Sequence, residues 1–320
     1  MRILFKIIMV LVVINVPLWA QTGTISGVVY NGSADSTLIQ NIEVNLFINK
    51  GHSVIDDSTY VQTTDSKGRF EFKSLANDST MLYYPRVTFN SIVYYGQAVR
   101  FSNKTSSFES NVVVFDTTSS AERIVIQLEH LFIDAEPGKL LIREIFIVNN
   151  TGSKTFIGKN FNQPSNHYVL QFPLPAGFED LEILTPEAQD WVRVQGQTLY
   201  HTELMSPGSR QFSYRLVVPS KRNEVQFLRP ILYPIGAANI FISNPDLTIE
   251  GPGVMAMGEF NIRGTSYQRY SVAHLMPGME LSLAIKNLPG KSFSLQWLVL
   301  IGVIILLAIG FGYTLTKSKS

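Results

Sequence analysis

The stretch from Leu295 to Leu315 constrains the chain most: it runs from Leu295-Gln-Trp-Leu to Tyr313-Thr-Leu315 without one charged residue. A helix rising ~1.5 Å per residue needs about 20 apolar residues to cross the hydrocarbon layer. In lipid a lone segment must satisfy its own backbone hydrogen bonds, which favours a helix. Trp297 and Tyr313 stand near its two ends, where amphipathic rings prefer the interface, and Lys317 and Lys319 follow it. The sequence therefore predicts a transmembrane helix here, with the lipid bilayer as partner. The competing reading is a buried core helix, which seldom runs this long without a polar face.

Met1–Ala20 has the layout of a secretory signal: Arg2 and Lys6, then an apolar run over Ile7–Val16, then Pro17 and Ala20. An uncleaved first anchor is the alternative, since Leu18 is large for its position. Together the two ends predict a single-pass membrane protein. Its body would lie outside the cytoplasm, periplasmic or extracellular, and its C-terminal tail, 316–320, inside.

A net charge of +1 gives no electrostatic case for nucleic acid. The chain has no cysteine, so disulfides, thiolate chemistry and Cys-ligated metals are excluded. The 20 Phe and 13 Tyr favour β structure, and apolar cores must supply stability.

Between the apolar ends the pattern is alternation. Thr24–Tyr30 and Ile42–Ile48 alternate, and Arg69–Phe72 puts Phe70 and Phe72 on one face. Asn31-Gly32, Asn49-Lys-Gly51 and Asp65-Ser-Lys-Gly68 are turn signals. Further strands are predicted over Ser58–Thr64, Met81–Phe89, Ser91–Phe101, Asn111–Phe115 and Arg123–Leu128. In the second half, Lys139–Val148 reads as a buried central strand, apolar on both faces except for Arg143 and Glu144. Strands continue through Arg210–Val218 and Tyr267–Leu275 to Glu280–Ile285, with little helical periodicity. The predicted fold class is all-β: two tandem antiparallel β-sandwich domains plus one C-terminal transmembrane helix. The boundaries are 1–20 for the signal, 22–129 and 130–288 for the sandwiches, 289–294 for a linker and 295–315 for the span.

Three pieces in order, Gly23–Tyr30, Ile42–Leu46 and Thr64-Asp-Ser-Lys-Gly-Arg-Phe-Glu-Phe72, resemble the carboxypeptidase regulatory-like family. The family's pattern is a G-x-V strand, a V-x-L strand and a T-D-x-x-G-x-F-x-F hairpin. The resemblance covers 22–129 and implies a transthyretin-like β-sandwich that serves as a structural or binding module, with no peptidase residues of its own. Leu38-Ile-Gln-Asn41 replaces the Pro-rich link usual before the second strand. In the second half, Leu174-Pro-Ala-Gly177, Pro207-Gly208…Tyr214–Pro219 and Gly278–Leu281…Leu288-Pro289 resemble bacterial envelope proteins that carry one membrane helix.

No catalytic constellation emerges. His52, His130, His167, His201 and His274 are scattered, without metal-ligand spacing. There is no G-x-S-x-G elbow, P-loop or G-x-G-x-x-G, and Gly251-Pro-Gly253 reads as a turn. The chain is expected to be non-enzymatic, with no metal and no cofactor. Two binding features stand out. Asp56, Asp57 and Asp65 flank one strand and could offer oxygens to calcium, or be ordinary turn acids. Tyr83-Tyr84 and Tyr94-Tyr95 put one ring of each pair on each face of a sheet, so one set can meet a ligand. The expected function is a membrane-anchored envelope protein that binds or helps assemble a protein partner. The alternative is a carbohydrate-binding surface module using exposed tyrosines.

Overall fold

The computed structural model describes residues 22–290, apart from 52, 56–59 and 103, together with residue 304. The chain divides into two compact units, Met1–Asp116 and Thr117–Ser320.

Unit 1 is built from two five-stranded sheets. The first centres on Thr22–Asn31, whose alternation buries Ile25 and Val29. That strand pairs antiparallel with Arg69–Ala76 and Thr37–Leu38, and parallel with Ser107–Glu109 and Val112–Val114. The second joins Ser53–Ile55, Glu43–Lys50, Met81–Phe89 and Ile92–Tyr95 in that order, with Val61–Thr63 also on Glu43–Lys50. Each sheet turns one face inward: Phe70, Phe72 and Val112 from the first, Val44, Leu46, Tyr83 and Val87 from the second. The hairpin before Arg69 is set by Asp65, whose Oδ1 accepts from the Lys67 and Arg69 amides at 2.8 Å each. Gly68 closes it at φ +68°.

Unit 2 is organised by a seven-stranded sheet. Its order is Glu179–Ile183, Gly208–Pro219, Lys139–Asn150, Ile124–Glu136, Ile235–Ile242, Thr265–Leu275, Met255–Ile262. Two three-stranded sheets contribute to the same core. One is Leu170–Pro173, Thr198–His201 and Val192–Gln195; the other is Glu224–Pro230, Glu280–Lys286 and Thr248–Glu250. Phe172 of the former lies 4.8 Å from Phe146 and 5.0 Å from Phe212, ring to ring. In the Ile124–Glu136 strand, pairing with Lys139–Asn150 shifts between Ile126 and Leu128. The shift changes which parity faces inward: Ile124 and Ile126 are buried before it, Glu129, Leu131 and Ile133 after it.

Several expectations need correction. The sheets are not purely antiparallel: Thr22–Asn31 and Ile124–Glu136 each accept parallel neighbours. Among the described residues the strands form six sheets, one of them only Thr117–Thr118 with Thr155–Phe156, rather than two simple sandwiches. Ile124–Glu136 runs unbroken through the position where one domain was expected to end at Glu129. The transmembrane helix is not supported. Among the described residues no helix is long and apolar enough to cross a membrane, and Pro186–Trp191 is a single 3₁₀ segment. The 295–315 stretch lies outside the described residues except for Ile304, as does the expected signal at 1–20. The single-pass topology, the bilayer as partner and the inside–outside placement built on that helix are therefore not retained.

Gly27 shows how tightly the first sheet closes. A Cβ there would stand 2.3 Å from the Ser110 carbonyl oxygen and 2.6 Å from the Phe70 ring. Gly27→Ala is expected to cost unit 1 about 1–3 kcal/mol, the usual penalty for overpacking. Urea unfolding of the full chain measures it, with Gly290→Ala, where nothing lies within 4 Å, as the unaffected control.

Candidate functional site

The four tyrosines singled out by sequence separate by face. Tyr83 and Tyr94 are core residues, 1% and 7% exposed. Their hydroxyls donate to the Ala76 and Phe115 carbonyls at 2.8 and 3.1 Å, so each buried ring keeps its polar tip satisfied. Burial pushes the Tyr83 hydroxyl up to about 12. Tyr84 and Tyr95 lie on the opposite side of the sheet, with Tyr95 half exposed.

Phe47 joins them. Glu43–Lys50 pairs with Met81–Phe89 so that Phe47 is opposite Tyr84, and Tyr95 is opposite Arg86. The three ring centroids are 6.0 to 6.5 Å apart and meet edge to face. The Arg86 guanidinium sits 5.8 Å from the Phe47 centroid. Val93, on the same strand face as Tyr95, is also exposed. A solvent-facing sheet surface ordinarily alternates to polar side chains. Here it carries an aromatic cluster fringed by a cation.

The strongest electrostatic perturbation lies inside unit 2. Arg229 reaches from Glu224–Pro230 to two glutamates of the seven-stranded sheet. Its Nη2 donates to both Glu129 oxygens at 2.6 and 2.7 Å, and its Nη1 to Glu144 Oε2 at 2.5 Å. Tyr214 donates to the same Glu144 oxygen at 3.0 Å. Glu129 and Glu144 are fully buried and Arg229 nearly so. Glu144 Oε1 has no partner among the described residues. Burial pushes Glu144 up to about 7, against the pull of Arg229 and with the help of Glu129. Burial alone would lower Arg229, but the two carboxylates outweigh it and raise it. Tyr214 is raised well above its ordinary value by burial and by Glu144. Arg229 borders a pocket of only 20 Å³, so the cluster lacks room for a substrate and acts as structure.

The histidines do not converge. His201 is buried, its pKa lowered by burial, with Nδ1 unpartnered among the described residues. It lines a 220 Å³ pocket beside the ion-paired Glu203 and Arg210. His167 Nε2 lies 2.8 Å from the Ile157 carbonyl, and His130 packs on Phe241. Among the described residues no group of three His, Cys, Asp or Glu could hold a metal. Asp65 spends its carboxylate on its own turn, and the Arg69 amide chiefly lowers its pKa. Asp56, Asp57 and His52 lie outside the described residues. The chain has no cysteine, and no catalytic set converges among the described residues.

Comparisons with known proteins add little. No family model matches the chain, and no curated protein is similar to it. Among solved structures, one is a Pseudomonas aeruginosa protein provisionally described as carbohydrate binding. It is 19% identical over 29% of this chain and 89% of its own, with a TM-score of 0.21. An M1 zinc metallopeptidase of Deinococcus radiodurans is 8% identical over 51% of this chain and 42% of its own, with a TM-score of 0.31. The full-length major pilin of Corynebacterium diphtheriae is 7% identical over 82% and 81%, with a TM-score of 0.22. Superpositions this poor assign neither fold nor activity. The expected main function, a membrane-anchored assembly protein, fails with its anchor: no membrane-crossing helix exists among the described residues.

The buried cluster makes stability depend on pH. Glu144 is raised in the folded state, so its stabilising protonation is fully present below the ordinary value of 4.5 and is lost as pH rises through about 7. Wild-type stability is expected to fall across that window relative to Glu144→Gln, which cannot ionise. Arg229→Met, which strands both carboxylates, is expected to cost about 3–5 kcal/mol at neutral pH. Urea unfolding of the full-length proteins between those pH limits checks both, and parallel pH curves for wild type and Glu144→Gln would show the proton is not on Glu144.

Proposed function

We propose that the protein is a non-catalytic binding protein that takes carbohydrate on the solvent face of unit 1. One observation carries the reading: Phe47, Tyr84 and Tyr95 meet on a sheet face directed away from the core, beside Arg86. Aromatic rings offer a flat apolar surface to the C–H face of a sugar, and neighbouring polar groups take its hydroxyls. Clustered rings on an outer face do nothing for the core of unit 1, which already holds Tyr83 and Tyr94. The carboxypeptidase regulatory-like resemblance belongs to the same proposal. The Asp65–Gly68 turn and the buried Phe70 and Phe72 support it, and it likewise points to a binding module.

The test is the full chain carrying Tyr84→Ala and Tyr95→Ala, assayed by affinity electrophoresis in polysaccharide gels and by calorimetry with soluble oligosaccharides. The double variant is expected to fold normally, since neither ring is in the core, and to lose about tenfold or more in affinity. Unchanged affinity in the double variant would reject this surface. Wild-type protein unretarded by every polysaccharide would reject the function.

A further inference from the structure

We propose that unit 2 carries a second, independent binding site: a cleft on the outer face of the seven-stranded sheet, suited to a neutral saccharide. It goes beyond the reading of unit 1 and uses none of its residues.

The cleft encloses 700 Å³, within the range of small-ligand sites. Strand register builds it. Glu182 pairs with Arg215, Arg215 with Arg143, Arg143 with Phe132, Phe132 with Phe241, and Phe241 with Arg269. Directly paired residues share a sheet face, so one row of side chains crosses six strands on the side away from Glu144 and Glu129. Its middle is aromatic. Phe132 stacks on Phe241 at 4.8 Å with 17° between the rings, and Phe241 is 3% exposed. The Arg143 guanidinium lies 4.3 Å from the Phe132 centroid. Tyr267 meets Phe132 edge to face at 5.7 Å and forms an upright wall.

The two arginines of the cleft differ in availability. Arg215 is committed to Glu182, with contacts at 2.5 and 2.6 Å. Arg143 makes no ion pair among the described residues; it packs over the Phe132 ring, which leaves its N–H donors for a ligand. Asp134, Asp180 and Glu182 add acceptors to the same cleft. Among the residues that line the cleft, Arg143 and Arg215 set against three carboxylates leave one excess negative charge; Arg269 ends the row beyond the buried Phe241 and does not line it. An anion therefore meets net repulsion, and a cation meets a guanidinium. A neutral ring bearing hydroxyls donates to the carboxylates, accepts from Arg143 and lays its apolar face on Tyr267. That complement of donors, acceptors and ring decides for a neutral saccharide over an acidic sugar or a charged peptide.

The experiment uses the full chain with neutral hexasaccharides of glucose, mannose and N-acetylglucosamine, an oligogalacturonate and a chitosan oligomer. Calorimetry compares wild type, Tyr267→Ala, Tyr267→Phe, Arg143→Gln and the Tyr84→Ala/Tyr95→Ala variant. At least one neutral probe is expected to bind, with affinity falling about tenfold or more in Tyr267→Ala and Arg143→Gln, kept in Tyr267→Phe, and kept in part in the unit 1 variant. If Tyr267→Ala does not fold, amide shifts of wild type on titration serve instead, and should map to Phe132, Arg143 and Tyr267. The proposal is overturned if no neutral probe binds, if only the acidic or cationic oligomer binds, or if binding is abolished by the unit 1 variant and untouched by Arg143→Gln. That last pattern would leave the unit 1 site standing alone, whereas loss confined to the unit 2 variants would do the reverse.

Discussion

Arg229 joins two sheets of unit 2 through a guanidinium that almost no water reaches. Both Glu129 oxygens take one of its nitrogens, Glu144 takes the other, and Phe146 and Phe227 lie 5.6 and 6.0 Å from it. Removing three charged groups from water is costly, and attraction between them repays the cost only when nearly every lone pair and proton is used. Arg229 spends both terminal nitrogens on the two glutamates. The carboxylate side does not balance, because two negative groups share one positive group and Glu144 Oε1 has no partner among the described residues. A proton on Glu144 removes the surplus charge, and burial favours that form. The cluster thus fixes how the sheets meet more than it adds net stability.

Backbone geometry makes the cluster possible. Without the register shift between Ile126 and Leu128, Glu129 would share the parity of Val125 and Gln127 and point away from Arg229. The shift turns Glu129 inward and, in the same stroke, turns His130, Phe132 and Asp134 outward. One irregularity therefore supplies a carboxylate to the core and two of the side chains that line the outer cleft.

Much of the strand content was legible from alternation. Met81–Phe89 has the expected limits, and Phe70 and Phe72, Tyr83 and Tyr94 take the inward face that period-two spacing gives them. Which of the adjacent charges Arg143 and Glu144 would be buried was not legible. Both interrupt an otherwise apolar strand, and the partner that decides, Arg229, is 85 residues away from Glu144 in sequence. The outer row was missed for a related reason. Phe132 and Phe241 look like core residues, since an isolated sequence shows hydrophobicity but not which sheet face remains open. The parallel neighbours were equally hidden, because alternation within one strand says nothing of the direction of the next. The apolar C-terminal run invited a membrane reading from its length, its lack of charge and its flanking residues, and among the described residues no helix supports it.

The consecutive pair Arg143 and Glu144 condenses the physics of the sheet. Side chains of neighbouring residues leave a strand on opposite faces, so one step along the backbone crosses from water to core. Inside, Glu144 must be matched by Arg229 and Tyr214 because an unmatched charge there costs several kcal/mol, roughly. Outside, Arg143 needs no carboxylate: it is exposed to water and packs over the Phe132 ring. The guanidinium that is spent holds two sheets together. The one left open keeps its hydrogen-bonding capacity, and recognition is the use to which such capacity can be put.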